Sequence, residues 1–345
     1  MSKILITGIT GQLGSYLADL CLEKGDEVFG LVRRVATENQ DNRYSRIKHI
    51  LDKITLIPGD IRDYSRMLEI FDKYKFDKCF HMAAQSFVAL SFEDNFETMN
   101  TNINGTLNIL SAIKNKCPNC KFYFSASSEM MGKVEEMPQD EETRFHPRSI
   151  YGITKVTGYE LTRNFREAHN IFACSGILYN SESPRRGSEF VTRKITKGIA
   201  DMVNGKTNVL VLGNLEAKRD WSFAGDSVRA MYSMLEQELP IDYVISTGET
   251  HSIKEFIELA LDYVGIKANL VDLSNVSIED ADRVVERLKT YNECYIVQHP
   301  KFYRAAEVDI LKGNSRRAHL CLGWKPKSSF EDLVHMMMEN DLKNE

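Results

Sequence analysis

The chain has 345 residues, 43% of them hydrophobic and 27% charged, with a formal net charge of −5. That is the balance of a globular protein too long for one small core, and its negative charge gives neither nucleic acid nor an anionic membrane a reason to bind. No apolar run approaches the ~18 residues a bilayer span needs, and the opening "MSKILITGITGQLG" reads as a strand and a glycine turn, not a signal peptide.

In chain order, apolar runs predict strands at 3–8, 27–32, 54–59, 78–83, 121–126 and 172–178. Amphipathic spacing predicts helices over 14–24, 65–73, 102–115 and 150–170 between them. This alternation, with nearly continuous apolar strands, implies a Rossmann-type doubly wound parallel sheet covered on both faces, an α/β fold. After residue 180 the segments become longer and more charged. One strand at 242–248 is expected to rejoin the sheet, and 267–300 reads as a single helix, "SIEDADRVVERLKTY". The pattern divides the chain into a dinucleotide-binding part, 1–180 plus about 220–250, and a smaller discontinuous α/β lobe, about 181–219 plus 251–345. Seven cysteines leave at least one unpaired, which favours a reducing cytoplasm. "CPNC" at Cys117–Cys120 reads as a turn holding two thiols, since no second ligand pair for a metal accompanies it.

Gly8, Gly11 and Gly14 follow the first strand and open a helix. In that context the glycines permit a tight turn and close backbone approach, and the helix N-terminus offers N–H groups to a pyrophosphate. The turn, with Thr10, Gln12 and Leu13, is therefore assigned to a dinucleotide. Arg33 and Arg34 end the second strand, about 20 positions past the turn, where an NAD site usually carries an acidic residue. Two guanidinium groups suit a 2′-phosphate instead, so the cofactor reads as NADP.

Tyr151 and Lys155 are spaced i, i+4 in "YGITK" and share one helix face. Tyr151 would act as acid and base towards a hydroxyl. A free phenol ionises near pH 10, so work near neutrality asks the site for about 4 kcal/mol, which the Lys155 ammonium and a cationic nicotinamide ring favour.

With these motifs in place, the chain resembles the extended short-chain dehydrogenase/reductases, and closely the GDP-mannose 4,6-dehydratase family. The likeness runs through nearly the whole chain, in "AAQS", "HPRSIYGITK", "ESPRRGSEFVTRKI", "LGNLEAKRDW" and "EVDILKG" among other strings. It implies an active site of Ser127, Glu129, Tyr151 and Lys155. On that resemblance Tyr151 would take the C4 hydroxyl proton, Glu129 would abstract the C5 proton and protonate the departing C6 hydroxyl, and Ser127 would hydrogen-bond the sugar. It also implies that Ala84, Gln85, Ser86, Arg186, Asp60 and Ile61 lie along the cofactor, the last two near its adenine. Ser86, Ser128, Asn180, Arg193, Lys194, Asn214, Lys218, Arg219, Arg304 and Glu307 would join Ser127 and Glu129 in holding GDP-mannose or a related nucleotide sugar. Arg219 and Arg304 fit the diphosphate. No metal is implied, and the family likeness suggests a homodimer or homotetramer.

Several positions depart from the family pattern. Leu13 replaces an Asp, Ser127 a Thr, Met131 a Tyr that would stand beside the site, Ser181 a His and Glu97 a Tyr. The loop after Arg34, which in the family meets a neighbouring subunit, has a different sequence. Two other readings compete: a nucleotide-sugar 4-reductase or epimerase, which needs no Glu129, and a non-catalytic NADP sensor, which needs neither Tyr151 nor Lys155.

Overall fold

The computed structural model describes residues 1–34, 43–303 and 310–343. Seven strands form its main sheet: β1 (Lys3–Thr7), β2 (Glu27–Val32), β3 (Thr55–Pro58), β4 (Lys78–His81), β5 (Lys121–Ser127), β6 (Ala173–Leu178) and, at the edge, Tyr243–Ile245. All pairs are parallel, and the order β3-β2-β1-β4-β5-β6 is that of a doubly wound dinucleotide fold. The predicted strands appear with ends shifted by a few residues, and the last of them does rejoin the sheet.

Period-2 alternation sends neighbouring side chains to opposite faces. Leu5, Phe122 and Phe124 enter one core with Phe71, Ile109 and Tyr159. Ile4, Ile6 and Tyr123 enter the other with Leu17, Val228 and Met231. The first face is covered by helices Tyr64–Tyr74, Gly105–Lys116 and Ile150–His169, the second by α1 (Gln12–Glu23) and Ala224–Glu236. The expected 102–115 helix is interrupted at its start by a π-helical turn, Asn100–Asn104. Helix Ile150–His169 begins where the Ser149 side chain accepts the Gly152 N–H at 3.0 Å and ends at Asn170, which takes the left-handed conformation, φ +56°.

The region 267–300 corrects the sequence reading. The helix is present as Ile278–Leu288, but strands Ala268–Asp272 and Cys294–Gln298 flank it. The two strands pair in parallel, and the second also pairs with Val209–Leu212 to make a separate three-stranded sheet. Ala268–Asp272 is an edge strand with no buried residue, so its alternation is weak and the helical period dominates. Two short ladders, Asn180–Glu182 with Trp221–Phe223 and Lys218–Arg219 between His251–Ser252 and Ile310–Leu311, follow the main sheet. Among the described residues no helix is long and apolar enough to cross a membrane.

Candidate active site

In a doubly wound sheet the connections diverge between β1 and β4, and ligands bind beyond the carboxyl ends there. The glycine turn leaves β1 at this point. Gly8 has φ +75°, and a Cβ there would stand 2.9 Å from the Ala83 backbone nitrogen. A Cβ on Gly14 would lie 2.1 Å from the Gly8 carbonyl oxygen and 2.7 Å from the Ile9 Cα. Both glycines are therefore required to bring strand, turn and helix this close. The resulting backbone cradle at the start of α1 fits the pyrophosphate of a dinucleotide.

A cleft of about 640 Å³ opens from this turn. Of the residues assigned to the cofactor, Gly8, Gly11, Gln12, Leu13, Gly14, Ala84, Ser86 and Arg186 line it. Ser127, Ser128, Glu129, Tyr151 and Lys155 follow, and Asn180, Lys194, Asn214 and Arg219 extend it towards the small sheet. Arg33, Arg34 and Asp60 line a second cavity of about 720 Å³ past the ends of β2 and β3.

Other predicted residues are directed elsewhere. Arg193 pairs with buried Asp341 of helix Phe330–Lys343 at 2.6 Å and donates to the Pro184 carbonyl, so its charge is claimed there and not by the cleft. Gln85 folds back on its own loop, donating to the Phe87 carbonyl and the Thr98 hydroxyl. Ile61 is buried in the core against Gly105, Lys218 is exposed on its ladder, and the Thr10 carbonyl accepts from Arg46 at 3.3 Å. None of these five borders the cleft. Met131 is fully buried and likewise not at its wall, so its exchange for a tyrosine leaves the cleft lining alone. Arg304 and Glu307 lie outside the described residues.

The groups expected to react converge because β5 runs straight into the turn that carries Ser127 and Glu129. The Ser127 hydroxyl accepts the Glu129 N–H at 3.2 Å and lines the cleft with Tyr151. Gly152 lets the tyrosine helix sit against this turn; a Cβ there would be 2.7 Å from the Glu129 carbonyl oxygen. The Lys133 and His146 amides then tie the following loop back, to the His146 and Met130 carbonyls at 3.0 and 3.1 Å. Lys155 donates to the Ser125 carbonyl at 2.6 Å. Burial pushes the Tyr151 phenol up to about 12, opposed by the influence of the Ser127 hydroxyl, and pushes the Lys155 ammonium down to about 8. Without a bound cation the phenol thus stays protonated; a positive nicotinamide ring would act in the opposite direction.

Sequence reasoning missed several cleft residues. Phe87 and Phe190 meet edge to face with centroids 5.8 Å apart. Phe302 lies under the Lys194 ammonium at 4.1 Å, beside Tyr303. Asn102 also escaped notice: its side chain accepts from the Gln85 amide at 2.8 Å and donates to the Gln85 carbonyl and the Thr154 hydroxyl at 3.0 and 2.9 Å, pinning the "AAQS" loop to the tyrosine helix. The one sequence signal was "PKFYR", aromatics directly before Arg304.

A doubly wound dinucleotide fold with a Tyr-x-x-x-Lys pair in its crevice defines a member of the short-chain dehydrogenase/reductase class. A UDP-glucose 4-epimerase structure from Thermotoga maritima superposes with a TM-score of 0.80 at 23% identity, covering 99% of both chains. A dTDP-glucose 4,6-dehydratase from Streptomyces venezuelae gives 0.79 at 18%, over 99% of this chain and 97% of that one; at these identities the likeness is one of fold. The family model described as GDP-mannose 4,6 dehydratase matches residues 5–337. GDP-mannose 4,6 dehydratases from Drosophila melanogaster and Homo sapiens are each 42% identical, over 98% of this chain and 86% and 91% of theirs. One from Vibrio cholerae is 39% identical over 99% and 94%. The chain belongs to the GDP-mannose 4,6-dehydratase family.

Proposed function

We propose that this protein converts GDP-D-mannose to GDP-4-keto-6-deoxy-D-mannose, using NADP that is restored in every turnover. The observation that carries this reading is Glu129 in one cleft with Tyr151 and Lys155. A 4-reductase or epimerase needs one proton shuttle at one hydroxyl; elimination across C5 and C6 needs a second group.

The turn of Gly8, Gly11 and Gly14 would hold the cofactor, which when bound would supply the hydride acceptor for C4 and the hydride donor for C6. Tyr151 receives the C4 hydroxyl proton, with Ser127 fixing the hydroxyl and the Lys155 charge favouring the phenolate. The C4 ketone makes the C5 proton acidic, and the Glu129 carboxylate removes it. Protonated Glu129 then gives that proton to the C6 hydroxyl, which leaves as water, and a solvent proton returns to C5. Lys194 and Arg219 supply cations to the diphosphate, and the Phe302 ring supplies a face for the base. Arg33 and Arg34 are what favour NADP over NAD.

The two-part division at about residues 180, 220 and 250 belongs to the same proposal, as does a cytoplasmic homodimer or homotetramer. Phe92 and Phe96 are 51% and 88% exposed, an apolar surface that a second copy would cover; a monomer in sedimentation equilibrium would refute the assembly.

The test of the reaction is incubation with GDP-mannose and NADP in heavy water, followed by mass spectrometry. The product should lose one water and gain one deuterium, and Glu129→Gln should abolish both while still oxidising C4, visible as reduced nicotinamide absorbance. No water loss in the unsubstituted protein would overturn the reading.

A further inference from the structure

The second cavity holds more positive charge than the sequence motif announced. Arg62 and Arg66, past the end of β3, line it together with Arg33 and Arg34, and so do Asp60 and Asp63. Each aspartate is engaged. Asp63 caps helix Tyr64–Tyr74, accepting the Arg66 N–H at 3.0 Å. Asp60 accepts Arg62 Nε at 3.0 Å, Nη2 at 2.7 Å and the Arg62 backbone N–H at 2.9 Å. The remaining arm of Arg62, Nη1, reaches Glu97 at 2.5 Å. Arg66 donates Nε to the Pro58 carbonyl at 3.1 Å and Nη1 to Glu69 at 2.9 Å, the latter carboxylate being 68% exposed.

We propose that Arg62 and Arg66 set this cavity's preference for a ribose 2′-phosphate, Arg66 as a phosphate ligand beside Arg33 and Arg34, and Arg62 as a positioning residue that neutralises Asp60. The inference rests on the NADP reading above. An uncompensated carboxylate in the cavity that takes the 2′-phosphate repels the dianion. Asp60 lines the same cavity as Arg33 and Arg34, and the fork of Arg62 occupies both of its oxygens. The same contacts hold its pKa below the usual carboxylate range, so it stays ionised and paired at neutral pH. The Arg66–Glu69 pair is a surface one, worth little by itself, and a phosphate dianion competes with it readily. Glu97 holds the third arm of Arg62, which gives the departure from the family's tyrosine at that position a physical role.

The test is fluorescence titration of the whole protein with NADPH and with NADH. The unsubstituted protein should prefer NADPH. Arg66→Gln and Arg62→Gln should each weaken NADPH about tenfold or more, the range for losing a charge-assisted contact, with NADH changed less than about twofold. Asp60→Asn placed in the Arg62→Gln protein should recover most of the NADPH affinity, which a merely structural role for Arg62 would not produce. Arg66 stands in an exposed first helical turn, so its variant keeps the test decisive if Arg62→Gln fails to fold. An NADPH preference that survives both substitutions, or equal weakening of both nucleotides, overturns this inference alone. Equal affinities in the unsubstituted protein overturn the NADP reading and this inference with it.

Discussion

Lys155 offers a measurement that reads the site without any substrate. Its side chain is buried, and burial lowers its pKa to about 8, whereas in an unfolded chain a lysine titrates near 10.4. Between those values the unfolded chain keeps a proton that the folded one has released, so stability rises with pH across the window. Below about pH 8 the folded state carries the whole cost of the sealed ammonium, about 3 kcal/mol. Raising the pH from about 7 to about 10 recovers about 2.5 kcal/mol of it. Lys155→Met keeps the stem and removes the titration, so the stability advantage of the variant over the parent should shrink by that amount. With an unfolding entropy of about 2.1 cal/mol/K per residue over this length, the gap between thermal midpoints should close by about 3 °C. The lost hydrogen bond to the Ser125 carbonyl adds an offset independent of pH. Groups elsewhere titrate alike in both proteins, and Tyr151, pushed up to about 12 in the parent and no lower once the Lys155 charge is gone, stays protonated across the window in either folded protein. Melts of the two proteins, nucleotide-free and at matched ionic strength, are the assay. A gap that stays constant from neutral pH to pH 10 would refute the burial argument for Lys155.

Two further substitutions probe the crevice. Gly14→Ala places a methyl against the Gly8 carbonyl at 2.1 Å, where only backbone can yield; NADPH affinity should fall by about tenfold or more, roughly 1.4 kcal/mol, and an unchanged Kd would show that the cradle is not the pyrophosphate site. Tyr151→Phe removes the hydroxyl that shares the cleft with Ser127. Turnover should drop about 10²- to 10⁴-fold with NADPH affinity within about twofold, and retained turnover would dismiss Tyr151 as the proton shuttle.

What could be read from the chain alone was whatever depends on residues close together in sequence. Strand and helix periods are local, and so are the Gly8–Gly14 turn and the i, i+4 pair of Tyr151 and Lys155, because one backbone geometry dictates each spacing. The placement of Glu129 became legible only through a family likeness, since its partners Tyr151 and Gly152 come from another element and the approach is set by packing. Arg193 shows the converse: its sequence setting suggested a ligand for substrate, yet the C-terminal helix brings Asp341 to it and claims its charge. The edge strand Ala268–Asp272 takes its form from hydrogen bonds to Cys294–Gln298, which no pattern within its own five residues specifies. The Asp60–Arg62–Glu97 chain joins the end of β3 to a helix 35 positions beyond Arg62. Such contacts exist only once the sheet has formed, because the free energy that selects them comes from burial and charge pairing between distant segments.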